Sequence, residues 1–175
     1  MGKKLLKVLL AIGVLLVLFI IAAVWMVWKR PLEVDARFSR LALGKIGFET
    51  SWVETPAGRM SVWQAGSGPY MVLLHGAGDQ AGAWARMVKP LVDDYHVVIP
   101  DLPGHWKSEP RKGPIGLDQL LAGADAALEA GCGGEPAIVV GNSLGAWLAM
   151  LMAREHPDRV QRVVAINGGA IREEN

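Results

Sequence analysis

Hydrophobic residues follow three different patterns along the chain. Residues 8–28 read VLLAIGVLLVLFIIAAVWMVW and include no charged side chain. Charged and scattered apolar residues are then mixed up to about residue 47, in a segment that we expect to be partly helical. From residue 48 onward, short runs of Val, Ile and Leu alternate with segments whose apolar residues recur at helical spacing. The patterns predict an N-terminal membrane anchor at 1–30, a juxtamembrane connector at 31–47 and a folded domain at 48–175.

The first region has the length of a transmembrane helix. At about 1.5 Å per residue, 8–28 spans roughly the 30 Å hydrocarbon core of a bilayer. Trp25 and Trp28 suit the headgroup region at its end. A cleaved signal peptide is the alternative, but the apolar run is long for one and ends in bulky rather than small residues. We therefore predict a single-pass anchor, and the nearly balanced flanking Lys and Arg leave the side of the membrane open.

Six short runs predict β-strands. The first two, 48–53 and 60–64, flank the turn sequence TPAG and predict an antiparallel pair. The other four are rich in Val, Ile and Leu, as expected of strands that are buried on both faces of a parallel sheet. These four runs are 70–74, 96–99, 137–140 and 160–166.

Helical spacing between these runs predicts three helices. Residues 84–91 predict a helix that kinks or ends near Pro90, and 117–128 a helix with Gly131 as its C-cap. Residues 144–153 are apolar on nearly every face, which predicts a buried helix that stops before Pro157. This alternation indicates an open, mostly parallel α/β sheet with helices on both faces.

Charge and cysteine content narrow the classes of partner. Lys plus Arg number 18 and Asp plus Glu 17, a net charge of +1, so nothing favours binding to nucleic acid. The single cysteine, Cys132, cannot form an internal disulfide, and no Cys/His cluster has zinc spacing. We expect no cofactor and no metal, and we interpret Cys132 as a structural residue in a Gly-rich turn.

The sequence GNSLG at 141–145 carries the candidate chemistry. It joins the strand 137–140 to the helix 144–153 at the carboxyl edge of the sheet, where α/β folds bind ligands. A turn this tight holds Ser143 in a strained conformation, and a Cβ at Gly141 or Gly145 would collide with the neighbouring strand or helix. The helix N-terminus adds N–H groups and a positive dipole. Ser143 is therefore a candidate nucleophile.

Two further turns lie at the same edge of the predicted sheet. HGAGD at 75–79 follows the strand 70–74, and its free N–H groups can point into the same crevice. Together with the N–H of Leu144, this turn would complete an oxyanion hole. The second turn, PDLPGHWKS at 100–108, follows the strand 96–99.

In this order and at these spacings, HGAGD with Trp84, PDLPGH and GNSLG resemble the N-terminal half of the serine α/β-hydrolase fold superfamily. The resemblance covers about residues 48–166 and implies an incomplete α/β-hydrolase sheet, with about six of the fold's eight strands, behind the transmembrane helix. It implies Ser143 as nucleophile and the N–H groups of Ala77 and Leu144 as the oxyanion hole. The structural turns of the site would be formed by Gly76, Gly78, Gly141 and Gly145.

Two details of the motifs refine this resemblance. A serine at the turn argues against haloalkane dehalogenases and epoxide hydrolases, which resemble this fold but carry Asp there. Trp106 stands where the D-x-x-G-x-G-x-S pattern of the superfamily commonly has a second Gly. We expect Trp106 to reshape the wall of the crevice without touching the catalytic atoms.

The general base and the acid are the missing parts of this site. In the superfamily the acid and then the histidine follow the serine on later strands. His156 lies 13 residues along the helix from Ser143, roughly 20 Å away at 1.5 Å per residue. His75, His96 and His105 are not placed to act as a base either. We therefore expect neither acid nor base in these 175 residues, and a C-terminally truncated chain that is inactive alone.

These expectations define one leading function and two alternatives. The leading one is a membrane-anchored serine hydrolase that acts on ester, thioester or lipid-type acyl substrates through an acyl-enzyme on Ser143. Its partners would be a small-molecule or lipid acyl substrate and the membrane, through residues 8–28. The alternatives are a non-catalytic membrane-anchored binding or assembly module, which recruits a partner at the exposed strand edge, and an acyltransferase that uses the same residues.

Overall fold

The computed structural model describes residues 2–168, and the remainder of the predicted tail lies outside the described residues. It contains α1 (Lys3–Lys29), α2 (Pro31–Ile46), β1 (Glu49–Thr55), β2 (Gly58–Ala65), β3 (Tyr70–Leu74), a 3₁₀ turn (Ala81–Trp84), β4 (His96–Pro100), α3 (Leu117–Cys132), β5 (Ala137–Asn142), α4 (Leu144–Glu155) and β6 (Val160–Ile166). The chain forms two compact units, Met1–Phe38 and Ser39–Asn175.

The first unit consists of α1 and the beginning of α2. The segment Lys4–Lys29 is long and apolar enough to cross a membrane, and none of its apolar side chains is buried by the protein. Phe19 and Trp28, for example, are 74% and 76% exposed. A helix that is apolar all round suits a lipid environment, and an N-terminal signal sequence would have the same composition.

The second unit is built on one six-stranded sheet in the order β1-β2-β4-β3-β5-β6. β2 pairs antiparallel with β1 and with β4, whereas β3 pairs parallel with β4 and β5, and β5 with β6. The predicted antiparallel pair and the mostly parallel sheet are therefore confirmed. Leu74 is in register with Gly141, and Asn142 with Ile166, so β3, β5 and β6 all end at the same edge.

Each face of the sheet is covered by its own hydrophobic core. α3 and α4 cover one face, where Leu128, Leu148 and Met152 are fully buried. On the other face, Leu43 from α2 packs with Trp84 and Val88 from the segment after β3. The second half of α2, predicted as connector, thus belongs to the compact unit, which begins at Ser39 rather than at the residue 48 expected from the sequence.

The helix predicted over 84–91 is not formed. The structure has the short 3₁₀ turn Ala81–Trp84 there, followed by separate turns up to Tyr95. Val88 donates its N–H to Trp84 and Val92 to Val88, but Pro90 has no N–H to continue the ladder. Trp84 and Val88 are buried but Met87 is 54% exposed, so the helical spacing predicted neither the turns nor the burial of this segment correctly.

The predicted end of α3 is displaced by two residues. The helix continues through Cys132, and Gly133, with φ of 58°, is the left-handed C-cap instead of Gly131. Gly131 has a packing role, because a Cβ there would lie 2.7 Å from Cγ1 of Val98. Cys132 is buried in the last turn of α3, and burial raises the pKa of its thiol to about 12, which keeps it unreactive at neutral pH.

Burial of α4 is less complete than its composition predicts. Leu148, Ala149 and Met152 are fully buried, but Trp147 is 37% exposed and Met150 is half-buried. The helix packs on the sheet and on α3 by one face, and no element among residues 2–168 covers the other. The prediction of a helix buried on every face was therefore wrong for that side.

Candidate active site

Ser143 occupies the turn between β5 and α4, as its sequence context predicts. Its backbone has φ of 52° and ψ of −113°, a conformation that residues with a Cβ rarely adopt. The N–H of Ser143 donates to the carbonyl of Ile166 at 2.9 Å, which ties the turn to the end of β6. The side chain is exposed at the carboxyl edge of the sheet. The strained turn thus presents the hydroxyl at the surface.

Gly141 and Gly145 are required by close approach of the backbone on both sides of this turn. A Cβ on Gly141 would overlap the backbone of Gly145. A Cβ on Gly145 would lie 2.6 Å from the carbonyl carbon of Leu74 and 2.8 Å from the carbonyl oxygen of His75. Only glycine fits at either position, because these neighbours are main-chain atoms that cannot rotate away.

The turn after β3 lies against Ser143. A Cβ on Gly76 would be 3.5 Å from the Cβ of Ser143, and Gly78 adopts a φ of 74°, which favours glycine. Ala77 and Gly78 are exposed. Neither the N–H of Ala77 nor that of Leu144 donates to a main-chain carbonyl within residues 2–168. Within the described residues, both predicted oxyanion donors thus lack a main-chain acceptor, one in each of two adjoining turns.

His75 serves the structure of this turn and is not available as a base. Its Nδ1 lies 2.8 Å from the carbonyl oxygen of Gly76, and its Nε2 accepts a hydrogen bond from the N–H of Leu102 at 3.0 Å. One neutral tautomer satisfies both contacts, with the proton on Nδ1. Burial lowers the pKa of His75 to about 4, so the ring is neutral at physiological pH.

The lowered pKa of His75 predicts that the folded protein loses stability at acidic pH. The unfolded chain protonates this residue near pH 6.5, the folded protein only near pH 4, so its stabilising contribution is complete above pH 6.5. We expect the free energy of unfolding to fall by roughly 3 kcal/mol as the pH drops from 6.5 to about 4. Urea unfolding followed by tryptophan fluorescence measures this loss. His75→Asn keeps a donor and an acceptor but cannot titrate, and an unchanged pH slope in this variant would refute the assignment.

Each of the other three histidine rings contacts a residue other than Ser143. His96 contacts Gln64 and Gly66, and His156 lies 3.4 Å from a carboxylate oxygen of Asp125. His105 contacts the carbonyl of Pro103 and packs edge-on against His75, with ring centroids 4.9 Å apart. In the described part of the chain, the Ser143 hydroxyl forms no hydrogen bond with any of them.

A buried ion pair that the sequence did not reveal lies beside the turn after β3. The guanidinium of Arg40, on α2, binds both carboxylate oxygens of Asp101, the first residue after β4. Asp101 is fully buried and also accepts hydrogen bonds from the Ser61 hydroxyl and from the N–H of Ala81. Arg40 and Asp101 are 61 positions apart, so no local spacing could have predicted the pair.

The tryptophan at position 106 packs on the arginine of the same ion pair. The Arg40 guanidinium carbon lies 4.6 Å from the centre of the Trp106 ring and 5.1 Å from that of Trp63. The two rings cover the cation, an arrangement that favours arginine over lysine. Trp106 has φ of 50°, so its backbone is in the left-handed region. The departure from the superfamily pattern thus supplies one wall of a buried arginine site.

Comparison with known proteins connects these features to one family. A family model of the alpha/beta hydrolase fold matches residues 69–174. The chain is 33% identical over 139 residues to the 2-hydroxy-6-oxononadienedioate/2-hydroxy-6-oxononatrienedioate hydrolase 2 of Pseudomonas putida, covering 77% of this chain and 46% of that protein.

Solved structures of a phospholipase and of a hydrolase also superpose on this chain. The structure of a membrane phospholipase A, a bacterial virulence factor, superposes with a TM-score of 0.70 at 26% identity and covers 94% of this chain and 54% of that one. E-2-(acetamidomethylene)succinate hydrolase superposes with a TM-score of 0.62 at 27% identity, over 69% of this chain and 44% of that one. The chain spans 28% to 46% of the length of eight curated relatives that it matches.

Proposed function

The chain belongs to the alpha/beta hydrolase fold family, and from this premise we propose that it is part of a membrane-anchored serine hydrolase that cleaves ester, thioester or lipid-type acyl substrates. The observation that carries the proposal is the strained backbone of Ser143 at the end of β5, near the N–H groups of Ala77 and Leu144, which have no main-chain acceptor within residues 2–168. Strain of this kind is retained where a function requires it.

The proposed chemistry is acyl transfer through the Ser143 hydroxyl. The Oγ attacks the acyl carbonyl carbon while a base accepts its proton, and the carbonyl oxygen becomes an oxyanion. The N–H groups of Ala77 and Leu144 donate to this oxyanion, which the N-terminus of α4 also favours. Collapse breaks the bond to the leaving group, which takes the proton. Water then attacks the acyl-enzyme by the same route, which releases the acid and restores the serine.

The base and the acid of this proposal come from residues beyond those described. The four histidines in residues 2–168 have the contacts given above, and the chain spans less than half of the curated relatives. We propose that the complete gene product supplies the acid and the histidine, and that residues 1–175 alone have little or no activity.

The substrate class and the anchor are inferred from two independent features. One is the apolar α1, long enough to cross a bilayer. The other is the similarity to a membrane phospholipase A, which extends over 94% of this chain. Together they favour lipid-type acyl esters over soluble esters and retention of α1 as an anchor.

Covalent labelling tests the nucleophile. A fluorophosphonate probe should label the complete gene product in its membranes at Ser143, and Ser143→Ala should abolish labelling and lower ester turnover at least about 1,000-fold. Ser51→Ala removes an exposed hydroxyl on β1 and is the matched control, which should label like the wild type. A folded wild type that stays unlabelled, or a Ser143→Ala variant that still labels, would overturn the proposal.

A second candidate function rests on β6. This strand pairs only with β5 among residues 2–168, and Val164 on it is 47% exposed. Such an edge can pair with another chain, which a non-catalytic assembly module would use. That function predicts a folded but unlabelled protein that co-purifies with a partner. If labelling occurs, product analysis with an added alcohol distinguishes hydrolysis from acyl transfer to the alcohol.

A further inference from the structure

The turn that carries the Ala77 N–H is closed by a main-chain hydrogen bond from the N–H of Asp79 to the carbonyl of Gly76 at 3.2 Å, and it is held to neighbouring segments at its two ends. At the first end, the His75 ring bridges the carbonyl of Gly76 and the N–H of Leu102. At the second end, the N–H of Ala81 donates to Asp101 at 2.8 Å. Ala77 and Gly78, between these ends, are exposed. The position of the Ala77 N–H therefore depends on this internal hydrogen bond and on the two anchored ends.

Arg40 fixes the second of these ends. Its Nη1 donates to Oε1 of Gln80 at 2.6 Å and to Oδ1 of Asp101 at 2.9 Å. The same Gln80 oxygen accepts from the N–H of Gly82 at 2.8 Å. The Arg40 guanidinium thus connects the side chain of Gln80, which accepts from the N–H of Gly82, with the Asp101 carboxylate, which accepts from the N–H of Ala81.

The surroundings of Arg40 keep the guanidinium in one orientation. Its side chain is only 10% exposed, and the rings of Trp63 and Trp106 lie on it. Both carboxylate oxygens of Asp101 are engaged with it in a fork-to-fork pair. A lysine could keep the charge but could not reach Gln80 and both oxygens at once.

We propose that Arg40 is a positioning residue for the oxyanion hole, through which α2 sets the geometry of the turn at 77–80. Arg40 does not touch the reacting atoms. It binds the side chains of Gln80 and Asp101. These two side chains accept hydrogen bonds from the main chain of residues 81 and 82, and so fix the end of the turn that carries the N–H of Ala77. This inference rests on the proposed function, because it assigns Arg40 a role in stabilising the same oxyanion.

The experiment compares an oxo ester with its thiono analogue, in which sulfur replaces the carbonyl oxygen. Sulfur accepts hydrogen bonds poorly, so the ratio of kcat for the two substrates reports the contribution of the oxyanion donors. The ratio does not depend on how much protein is folded. Arg40→Lys in the complete gene product should lower kcat for the oxo ester about 10- to 50-fold, with KM within about twofold, and reduce the oxo-to-thiono ratio about tenfold.

Two further variants keep the test decisive. Gln80→Ala breaks the link from Arg40 to Gly82 but keeps the ion pair with Asp101, so it covers the case in which Arg40→Lys does not fold; it should shift the ratio in the same direction. Arg37→Lys, at an exposed position of the same helix, is the control and should match the wild type.

The outcomes separate this inference from the proposed function. If the wild type is labelled at Ser143 and turns over the ester, but neither Arg40→Lys nor Gln80→Ala changes the ratio, the positioning role is refuted and the hydrolase stands. If a folded wild type neither labels nor turns over ester, the proposed function itself is refuted.

Discussion

Replacing Gly145 with alanine is expected to destabilise the second unit by more than about 3 kcal/mol. The added Cβ would lie 2.6 Å from the carbonyl carbon of Leu74 and 2.8 Å from the carbonyl oxygen of His75. Both are main-chain atoms at the end of β3, where Leu74 is in register with Gly141 of β5. The clash can be relieved only by separating α4 from the sheet, and so by displacing Ser143. Thermal unfolding of the complete protein in detergent measures the loss.

The control for this prediction is another glycine in a helix. A Cβ on Gly44, in α2, would have no heavy atom within 4 Å. Gly44→Ala should therefore stabilise the protein by about 0.5–1 kcal/mol through helix propensity alone. If Gly145→Ala melted within about 2 °C of the wild type, the close approach of α4 to β3 would be incorrect.

Replacing Asp101 with alanine is the second large effect that we expect. The substitution leaves the buried Arg40 cation without its carboxylate and removes the acceptor for the Ala81 N–H and the Ser61 hydroxyl. Removing one partner of a buried ion pair costs about 3–5 kcal/mol. An exposed pair is worth no more than about 1 kcal/mol, so Glu155→Gln, which breaks the exposed contact with Arg154, is the matched control.

A double variant separates the stranded charge from the lost hydrogen bonds. Arg40→Met with Asp101→Leu removes both charges and keeps the site filled, and such replacements are often neutral or stabilising. We expect the double variant to unfold at a higher urea concentration than Asp101→Ala alone. If the two unfold at the same concentration, the unpaired Arg40 cation is not the source of the destabilisation.

Strand positions were largely predictable because the strands carry their own local signal. The bounds predicted for β3 and β6 match the structure, since both are short runs of β-branched and apolar residues between turn residues. The conformation of Ser143 was predictable for a related reason. Ser143 has a glycine two positions away on each side, a strand before it and a helix after it, so the chain must turn sharply there. The φ of 52° at Ser143 shows this sharp turn.

The errors arose where tertiary contacts or a single residue overrule local pattern. Separate turns replace the helix expected at 84–91, where Pro90 has no N–H to continue a helical ladder. Gly131 packs against Val98 instead of serving as the C-cap, and this contact depends on how α3 meets β4. The Arg40–Asp101 pair joins segments 61 residues apart, and an arginine among mixed charges gives no sign that it will be buried.

The place of Arg40 on α2 also determines which cleavages of the chain would leave the second unit with its buried ion pair. A cleavage at the predicted domain start, residue 48, would release a fragment without Arg40 and Leu43, with the Asp101 carboxylate buried and unpaired. A cleavage just before Ser39 would retain both residues. Proteolysis within the last two turns of α2 would thus strand the buried Asp101 carboxylate and destabilise the remaining fragment, whereas proteolysis one to two turns earlier would leave the ion pair intact.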